Sequence, residues 1–191
     1  MIHRKTVRHF HEVGHLHELT FSCYQRMPLL PNDTWRESLA RCVDRACEEA
    51  AFQLVAFVFM PEHVHLLVYP TVPNPSISRY LARVKQPFSK QIRDILVQEG
   101  SRLLSKLTVL ERRGKTCFRF WQEGPGFDRN LFSPEAIALS LEYIHNNPLK
   151  RGLCRRAVDW KWSSARYYAD VPARQYPGLP MIHGLPAGSV S

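Results

Sequence analysis

Three stretches of this chain have the apolar patterning of β-strands. Residues 16–23 alternate apolar and polar side chains, whereas residues 53–59 and 63–69 are continuous apolar runs of strand length. Continuous runs predict strands that are buried on both faces. The intervening Met60-Pro61-Glu62-His63 has proline where a tight turn favours it, which predicts an antiparallel hairpin with His63 opening its second strand. Residues 117–122 alternate again and predict a fourth strand.

Three other segments carry apolar residues at the helical period. Residues 34–50 follow a capping-box spacing at Thr34 and Glu37, so we predict a helix there. Ser76 precedes a second helix, which Pro87 is expected to kink or restart because proline lacks a backbone donor. Ser133 precedes a third helix that we expect to run to about residue 146 and to end before Pro148.

The order strand, helix, two-strand hairpin, helix, strand, helix is that of a ferredoxin-like α+β sandwich. We therefore predict an antiparallel sheet with helices on one face, plus a basic C-terminal extension. The expected organisation is a basic N-terminal arm at residues 1–15, one domain at residues 16–169 and a loosely ordered Pro/Gly-rich tail at residues 170–191. Within the domain, residues 100–115 are interpreted as a connecting insertion.

The charge balance indicates a polyanion, usually a nucleic acid, as the partner. The chain has 26 Lys and Arg against 17 Asp and Glu, a formal net charge of +9. Its basic residues form one stripe on the second helix and another stretch interleaved with Trp and Tyr near residues 150–168, a mixture that suits phosphates and unpaired bases. The predicted DNA contacts are Arg83, Lys85, Lys150, Arg151, Arg155 and Arg156.

Other features bear on location. The N-terminus lacks an apolar signal region and no apolar run approaches the length of a membrane span, so we expect a cytoplasmic protein without a membrane partner. Five scattered cysteines indicate neither a disulfide framework nor a zinc ribbon.

His63 and His65 are the first candidate site. Alternation along a strand puts both imidazoles on one face, where they could bind one metal ion. The alternative is a pair of polar residues that cap a core strand. Tyr143 and Asn147 stand one turn apart on the third helix. A tyrosine near a helix end is ordinarily a packing residue with its hydroxyl at the rim, and that alternative applies to Tyr143.

The chain resembles the HUH single-tyrosine transposases of bacterial insertion sequences, and among them the REP-associated tyrosine transposases. The motifs that carry the resemblance are Met60-Pro-Glu-His-Val-His-Leu-Leu-Val68, Phe120-Trp-Gln122, Tyr143-Ile-His-Asn-Asn-Pro-Leu-Lys-Arg-Gly-Leu153 and Trp162-Ser-Ser-Ala165. Many members of related families have glutamine at the position of Asn147.

The resemblance implies cleavage and rejoining of single-stranded DNA at hairpins, with His63 and His65 as metal ligands, Asn147 as their third ligand and Tyr143 as nucleophile. The product would be a 5′-phosphotyrosyl link and a free 3′-hydroxyl, without ATP. Two imidazoles and an amide oxygen suit Mg²⁺ or Mn²⁺, with Mn²⁺ the better match to imidazole. We expect a monomer or homodimer. Two alternatives stay open: a rolling-circle-type nickase with the same chemistry, and a non-enzymatic or domesticated binder of structured nucleic acid.

Overall fold

The computed structural model describes residues 15–111, 114–124, 126–170 and 172–186. Of the predicted N-terminal arm, only His15 lies within the described residues. The strands are β1 (Leu16–Ser22), β2 (Phe52–Phe59), β3 (His63–Pro70), β4 (Thr108–Leu110), β5 (Thr116–Phe118) and β6 (Phe127–Leu131). The α-helices are α1 (Asp33–Ala50), α2 (Ile77–Gln98), α3 (Arg102–Leu107), α4 (Pro134–Lys150) and α5 (Ala165–Ala169).

The main sheet is antiparallel and has the strand order β2-β3-β1-β6. The predicted hairpin forms β2 and β3, and the backbone N–H of Met60 donates to the carbonyl oxygen of His63 across the turn at 2.9 Å. In the register of β1 with β3, Thr20 pairs with His65 and Ser22 pairs with His63. This register places polar β1 side chains beside both histidines.

The helices cover both faces of the sheet. Val64 and Leu66 on β3 belong to the core shared with α1 and α2, whereas Leu67 packs with Ile137 and Ile144 of α4. The α+β class and the antiparallel sheet are confirmed, but the expectation that the helices lie on one face is wrong. Because β2 and β3 are apolar on both faces, the second face also needs a cover, and α4 provides it.

The predicted fourth strand at residues 117–122 is only partly confirmed, because residues 117 and 118 belong to β5 whereas residues 119–122 lie outside any strand. Phe120 and Trp121 are buried and pack against Phe88 of α2, with ring centroids 4.9 and 5.4 Å from it. The residues before them form β5, which pairs with β4 in a separate small sheet. The fourth strand of the main sheet is β6, a largely polar edge strand that pairs with β1. The segment expected to be a connecting insertion contains α3 and β4.

Two of the three helix starts are as predicted. Ser76 and Ser133 accept backbone N–H bonds at the starts of α2 and α4. The helix α1 begins one residue before the predicted range, and its cap is Asn32 rather than Thr34. The Oδ1 atom of Asn32 accepts from the backbone N–H of Trp35 at 2.9 Å, because a cap bonds three residues ahead.

Neither internal proline ends its helix. The helix α2 is continuous across Pro87, so no restart occurs there. The helix α4 continues through Pro148 to Lys150, contrary to the expectation that it stops at residue 147. The fixed φ of proline is compatible with a helix, and the missing donor of Pro148 falls in the last turn. The extension brings Lys150 and Arg151 close to the face that α4 covers.

Part of the C-terminal tail is packed rather than loose. Ile182 is buried in the core, the backbone N–H of His183 donates to the Leu54 carbonyl oxygen, and that of Met181 donates to Asp44 Oδ1. Among the residues the structure describes, no helix is both long and apolar enough to cross a bilayer.

Candidate nuclease site at the junction of β3 and α4

The two strand histidines and two α4 residues meet on one face of the sheet. His63 and His65 are buried, and their ring centroids lie 4.8 Å apart. The amide Nδ2 of Asn147 lies 3.2 Å from His65 Nε2, and the Tyr143 ring stands perpendicular to the His65 ring at 5.3 Å. Two pairs of residues, separated by 82 positions between His65 and Asn147, are thus brought together.

Hydrogen bonds fix the tautomer of each imidazole. Glu62 Oε1 lies 3.1 Å from His63 Nδ1, and because a carboxylate only accepts, that nitrogen carries the proton. The amide Nδ2 of Asn147 only donates, so His65 Nε2 accepts and His65 Nδ1 donates to Thr20 Oγ1 at 2.8 Å. Both imidazoles therefore have their lone pair on Nε2.

Burial keeps both imidazoles neutral near pH 7. Desolvation, together with a smaller effect of the neighbouring His63, lowers the pKa of His65 to about 3. Desolvation also lowers the pKa of His63, although the carboxylate of Glu62 opposes that shift. Neutral imidazole is the form that binds a metal ion.

This donor set fits a divalent cation only if Asn147 takes part. Among the described residues, no group of three or more His, Cys, Asp and Glu side chains is arranged to hold a metal. His63 and His65 supply two nitrogen lone pairs, and rotation of the Asn147 amide would supply an oxygen. Such a mixed set suits Mn²⁺ and also accepts Mg²⁺.

Cationic side chains surround the four residues. A pocket of about 300 Å³ contains all four and is also lined by Arg26, Lys150 and Arg151. Lys150 Nζ lies 5.3 Å from the Tyr143 ring centroid, and Arg151 Nη1 lies 2.9 Å from Glu62 Oε1. Tyr143 is 42% exposed, so its ring stands at the open side of the pocket. The pocket can therefore receive an anion beside the tyrosine.

Sequence reasoning missed Thr20, Ser22 and Arg26, which line this pocket, and Glu62, which contacts His63. Thr20 and Ser22 were visible as the polar positions of β1, but their place depends on the register with β3. Glu62 was visible as the neighbour of His63. Arg26 follows Gln25 in a short turn where both have positive φ, which the sequence did not signal.

The remaining predicted DNA contacts do not line the pocket. Arg83 on α2 is ion-paired with Glu49, and Lys85 is half-buried with Nζ 5.6 Å from the Phe21 ring centroid. Arg155 and Arg156 are exposed, and Arg156 pairs with an aspartate three residues along. Their contact with DNA stays a prediction.

The aromatic residues near the C-terminus are packing residues. Trp162 is buried, Trp160 Nε1 donates to the Phe59 carbonyl oxygen at 3.2 Å, and Tyr168 donates to the Val55 carbonyl oxygen at 2.9 Å. The expectation that these rings stack on unpaired bases is wrong, because they hold the C-terminal segment against β2.

Comparison with known families gives a match over more than half of the chain. The family described as "Transposase IS200 like" matches residues 13–113. The matched span includes His63 and His65, whereas Tyr143 and Asn147 lie beyond it.

Individual proteins give further similarities. A Haemophilus influenzae protein described as a candidate REP-associated tyrosine transposase is 29% identical over 133 residues, which are 70% of this chain and 69% of the relative. A solved structure of a REP-associated tyrosine transposase bound to a REP hairpin has a TM-score of 0.65 at 18% identity and covers 98% of each chain. A transposase structure from Deinococcus radiodurans R1 has a TM-score of 0.44 at 18% identity, with 76% of this chain and 96% of the other covered.

Proposed function

This chain belongs to the IS200-like transposase family, and from that premise we propose that it cleaves and rejoins single-stranded DNA beside a hairpin through a 5′-phosphotyrosyl intermediate. Membership confirms the resemblance drawn from the motifs and makes the chain a DNA-cleaving and rejoining enzyme. The observation that carries the mechanism is the position of Tyr143, which is exposed next to His65 and under Lys150 in a cationic pocket.

The proposed step is a transesterification. The Tyr143 oxygen attacks a backbone phosphorus, a tyrosine O–P bond forms, and the bond between phosphorus and the 3′ oxygen breaks. The phenol proton passes to water in the open pocket, and the leaving 3′ oxygen takes up a proton. One DNA fragment ends in a free 3′-hydroxyl, while the other stays on Tyr143 through its 5′-phosphate. Reversal of the step with a second 3′-hydroxyl rejoins the strands without ATP.

Cations of the pocket bind and orient the phosphate. Lys150 and Arg151 lie in the last turn of α4 and at its cap, and Arg26, from the short turn after β1, lines the same pocket. Their charges attract the DNA backbone and favour the negative charge that develops on the phosphate oxygens.

His63, His65 and Asn147 are the proposed ligands of Mg²⁺ or Mn²⁺. When bound there, the ion supplies a Lewis acid for the phosphate. The protein's part is to keep both imidazoles neutral and oriented. Glu62 and Thr20 do this through the Nδ1 atoms, so that both lone pairs stay on Nε2.

Hairpin DNA is the proposed partner. The solved structure with the same fold has a REP hairpin bound, and the relative from H. influenzae is described by the same family name. The net charge of +9 supports a polyanionic partner. We place the chain in the REP-associated branch on these grounds.

Covalent capture tests the proposal. Hairpin-bearing single-stranded oligonucleotides are incubated with the protein and Mn²⁺, then separated on a denaturing gel. An oligonucleotide labelled at its 3′ end should migrate with the protein, whereas the same oligonucleotide labelled at its 5′ end should give only a free, shortened fragment. A rolling-circle-type nickase would give the same adduct, because its chemistry is the same. A non-enzymatic binder would give no adduct with either label.

A further inference from the structure

A second pocket adjoins the candidate nuclease site, and we call it the flanking pocket. It has a volume of about 460 Å³ and shares Thr20, His65 and Tyr143 with the first. Its own walls come from β1, β6 and the exposed side of α4. A volume of this size accommodates a small ligand. Whatever occupies the flanking pocket therefore lies directly beside the tyrosine.

A buried carboxylate faces into the flanking pocket. Glu18 is 5% exposed, and Ser140 Oγ donates to its Oε2 at 3.1 Å. Ser140 is the one hydrogen-bond partner of that carboxylate among the described residues. An ionised carboxylate has about four acceptor positions, so most of its accepting capacity is free. A desolvated acceptor of this kind favours a ligand that brings N–H donors.

The rim of the pocket is apolar and cationic. Phe127 on β6 is 54% exposed and Leu139 on α4 is 64% exposed, although both are large apolar residues. Arg129 also lines the pocket, is exposed, and forms no ion pair with any described residue. An aromatic ring and a cation around a hydrogen-bonding floor suit an unpaired base with its phosphate.

We propose that the flanking pocket binds the nucleobase next to the scissile phosphate and selects for amino hydrogens on it. The inference rests on the proposed function and specifies which DNA this site takes. Guanine offers N1–H and the exocyclic N2 amine on one edge, which match the Glu18 carboxylate. Adenine and cytosine offer one amine each. Thymine offers one N–H between two carbonyl oxygens, which the carboxylate repels. Phe127 stacks on the base, and Arg129 contacts its phosphate.

Binding selection tests this without relying on cleavage. The probe is a DNA hairpin whose single-stranded flanks each carry four randomised nucleotides, and the protein carries Tyr143→Phe so that it binds without reacting. Sequencing of the bound fraction should show one flank position enriched in guanine and depleted in thymine by about tenfold. Adding Glu18→Gln should abolish that preference, because an amide can also donate to thymine.

Two further variants keep the test decisive even if Glu18→Gln lowers stability, which thermal melting will show. Phe127→Ala removes an exposed ring and should weaken binding of every flank by about 5- to 100-fold. Phe132→Ala is the matched control, because Phe132 is 74% exposed just after β6 but does not line the pocket. It should leave binding unchanged.

Equal recovery of all four bases at every flank position would overturn the inference, as would equal binding by the Phe127→Ala and Phe132→Ala proteins. These outcomes are separate from failure of the proposed function, which is absence of the covalent adduct from the unsubstituted protein. An adduct that forms with no base preference would refute the flanking-pocket proposal alone.

Discussion

Glu62 should control metal binding although it is not one of the proposed ligands. Its buried carboxylate lies 3.1 Å from His63 Nδ1 and 2.9 Å from Arg151 Nη1. The first contact keeps the His63 proton on Nδ1. Glu62→Gln preserves the shape but introduces an amide that can also donate, so His63 can place its proton on Nε2, where it cannot bind a metal.

The expected loss of Mn²⁺ affinity is about 10- to 100-fold, which is the usual effect of removing a partner of a metal-binding histidine. That loss corresponds to about 1.4–2.7 kcal/mol. Because the Glu62 carboxylate raises the pKa of His63 against the effect of burial, its removal should lower that pKa further. The pKa of His63 then lies below 6.5 in both proteins, so protons compete little with the metal ion and the affinity loss should persist between about pH 6.5 and 8.

Titration calorimetry with Mn²⁺, in the absence of DNA, measures this affinity. Arg151→Met is the internal control, because it removes the ion pair but leaves the contact between Glu62 and His63. Glu99→Gln, an exposed carboxylate at the end of α2, is the surface control. Glu99→Gln should bind Mn²⁺ as the unsubstituted protein does, and Arg151→Met should bind it at least as tightly, because that change removes a positive charge from the pocket. Unchanged affinity in a folded Glu62→Gln protein would refute the assigned tautomer.

Three further predictions concern stability and DNA affinity. Burial lowers the pKa of His145 from 6.5 to about 4. Between these pH values the unfolded chain binds more protons than the folded chain, so the folded state loses up to about 3 kcal/mol of stability as the pH falls. His145→Gln should remove this loss, which urea melts at pH 4.5 and 7 measure. Gly126→Ala places a Cβ against a β1 carbonyl oxygen and should cost about 1–3 kcal/mol in thermal melts. The loss should exceed that of Gly114→Ala, because Gly114 has a similar φ (+74° against +78°) but open space around it; equal losses would contradict the clash. Replacing Arg155 and Arg156 by Gln should flatten the log–log salt dependence of hairpin binding by about one to two units, and an unaltered slope would place the binding face elsewhere.

The sequence predicted the parts of the site that depend on short-range periodicity. Alternation along β3 put His63 and His65 on one face, and the helical period put Tyr143 and Asn147 one turn apart. Each conclusion needs only the geometry of one element. The contact between β3 and α4 was inferred from the motif resemblance, because no local pattern predicts it.

The errors arise where a long-range contact decides between local alternatives. Trp160 and Trp162 lie among cations, which favoured a surface for bases, yet both pack against β2. Pro148 has a local preference to end a helix, yet its buried position in the last turn of α4 allows the helix to continue. The register that sets Thr20 against His65 joins strands that are 45 residues apart in sequence, and no local rule supplies it.

The most direct test of the account is the adduct formed by Tyr143→Phe protein with a 3′-labelled hairpin oligonucleotide and Mn²⁺. The substitution deletes only the hydroxyl of a residue that is 42% exposed, so the fold, Mn²⁺ binding and hairpin binding should survive. The account predicts no covalent band on a denaturing gel, while the unsubstituted protein and a Tyr167→Phe/Tyr168→Phe protein both give one. An adduct with Tyr143→Phe protein, together with its loss from the Tyr167/Tyr168 variant, would show that the nucleophile is on α5 and contradict the mechanism.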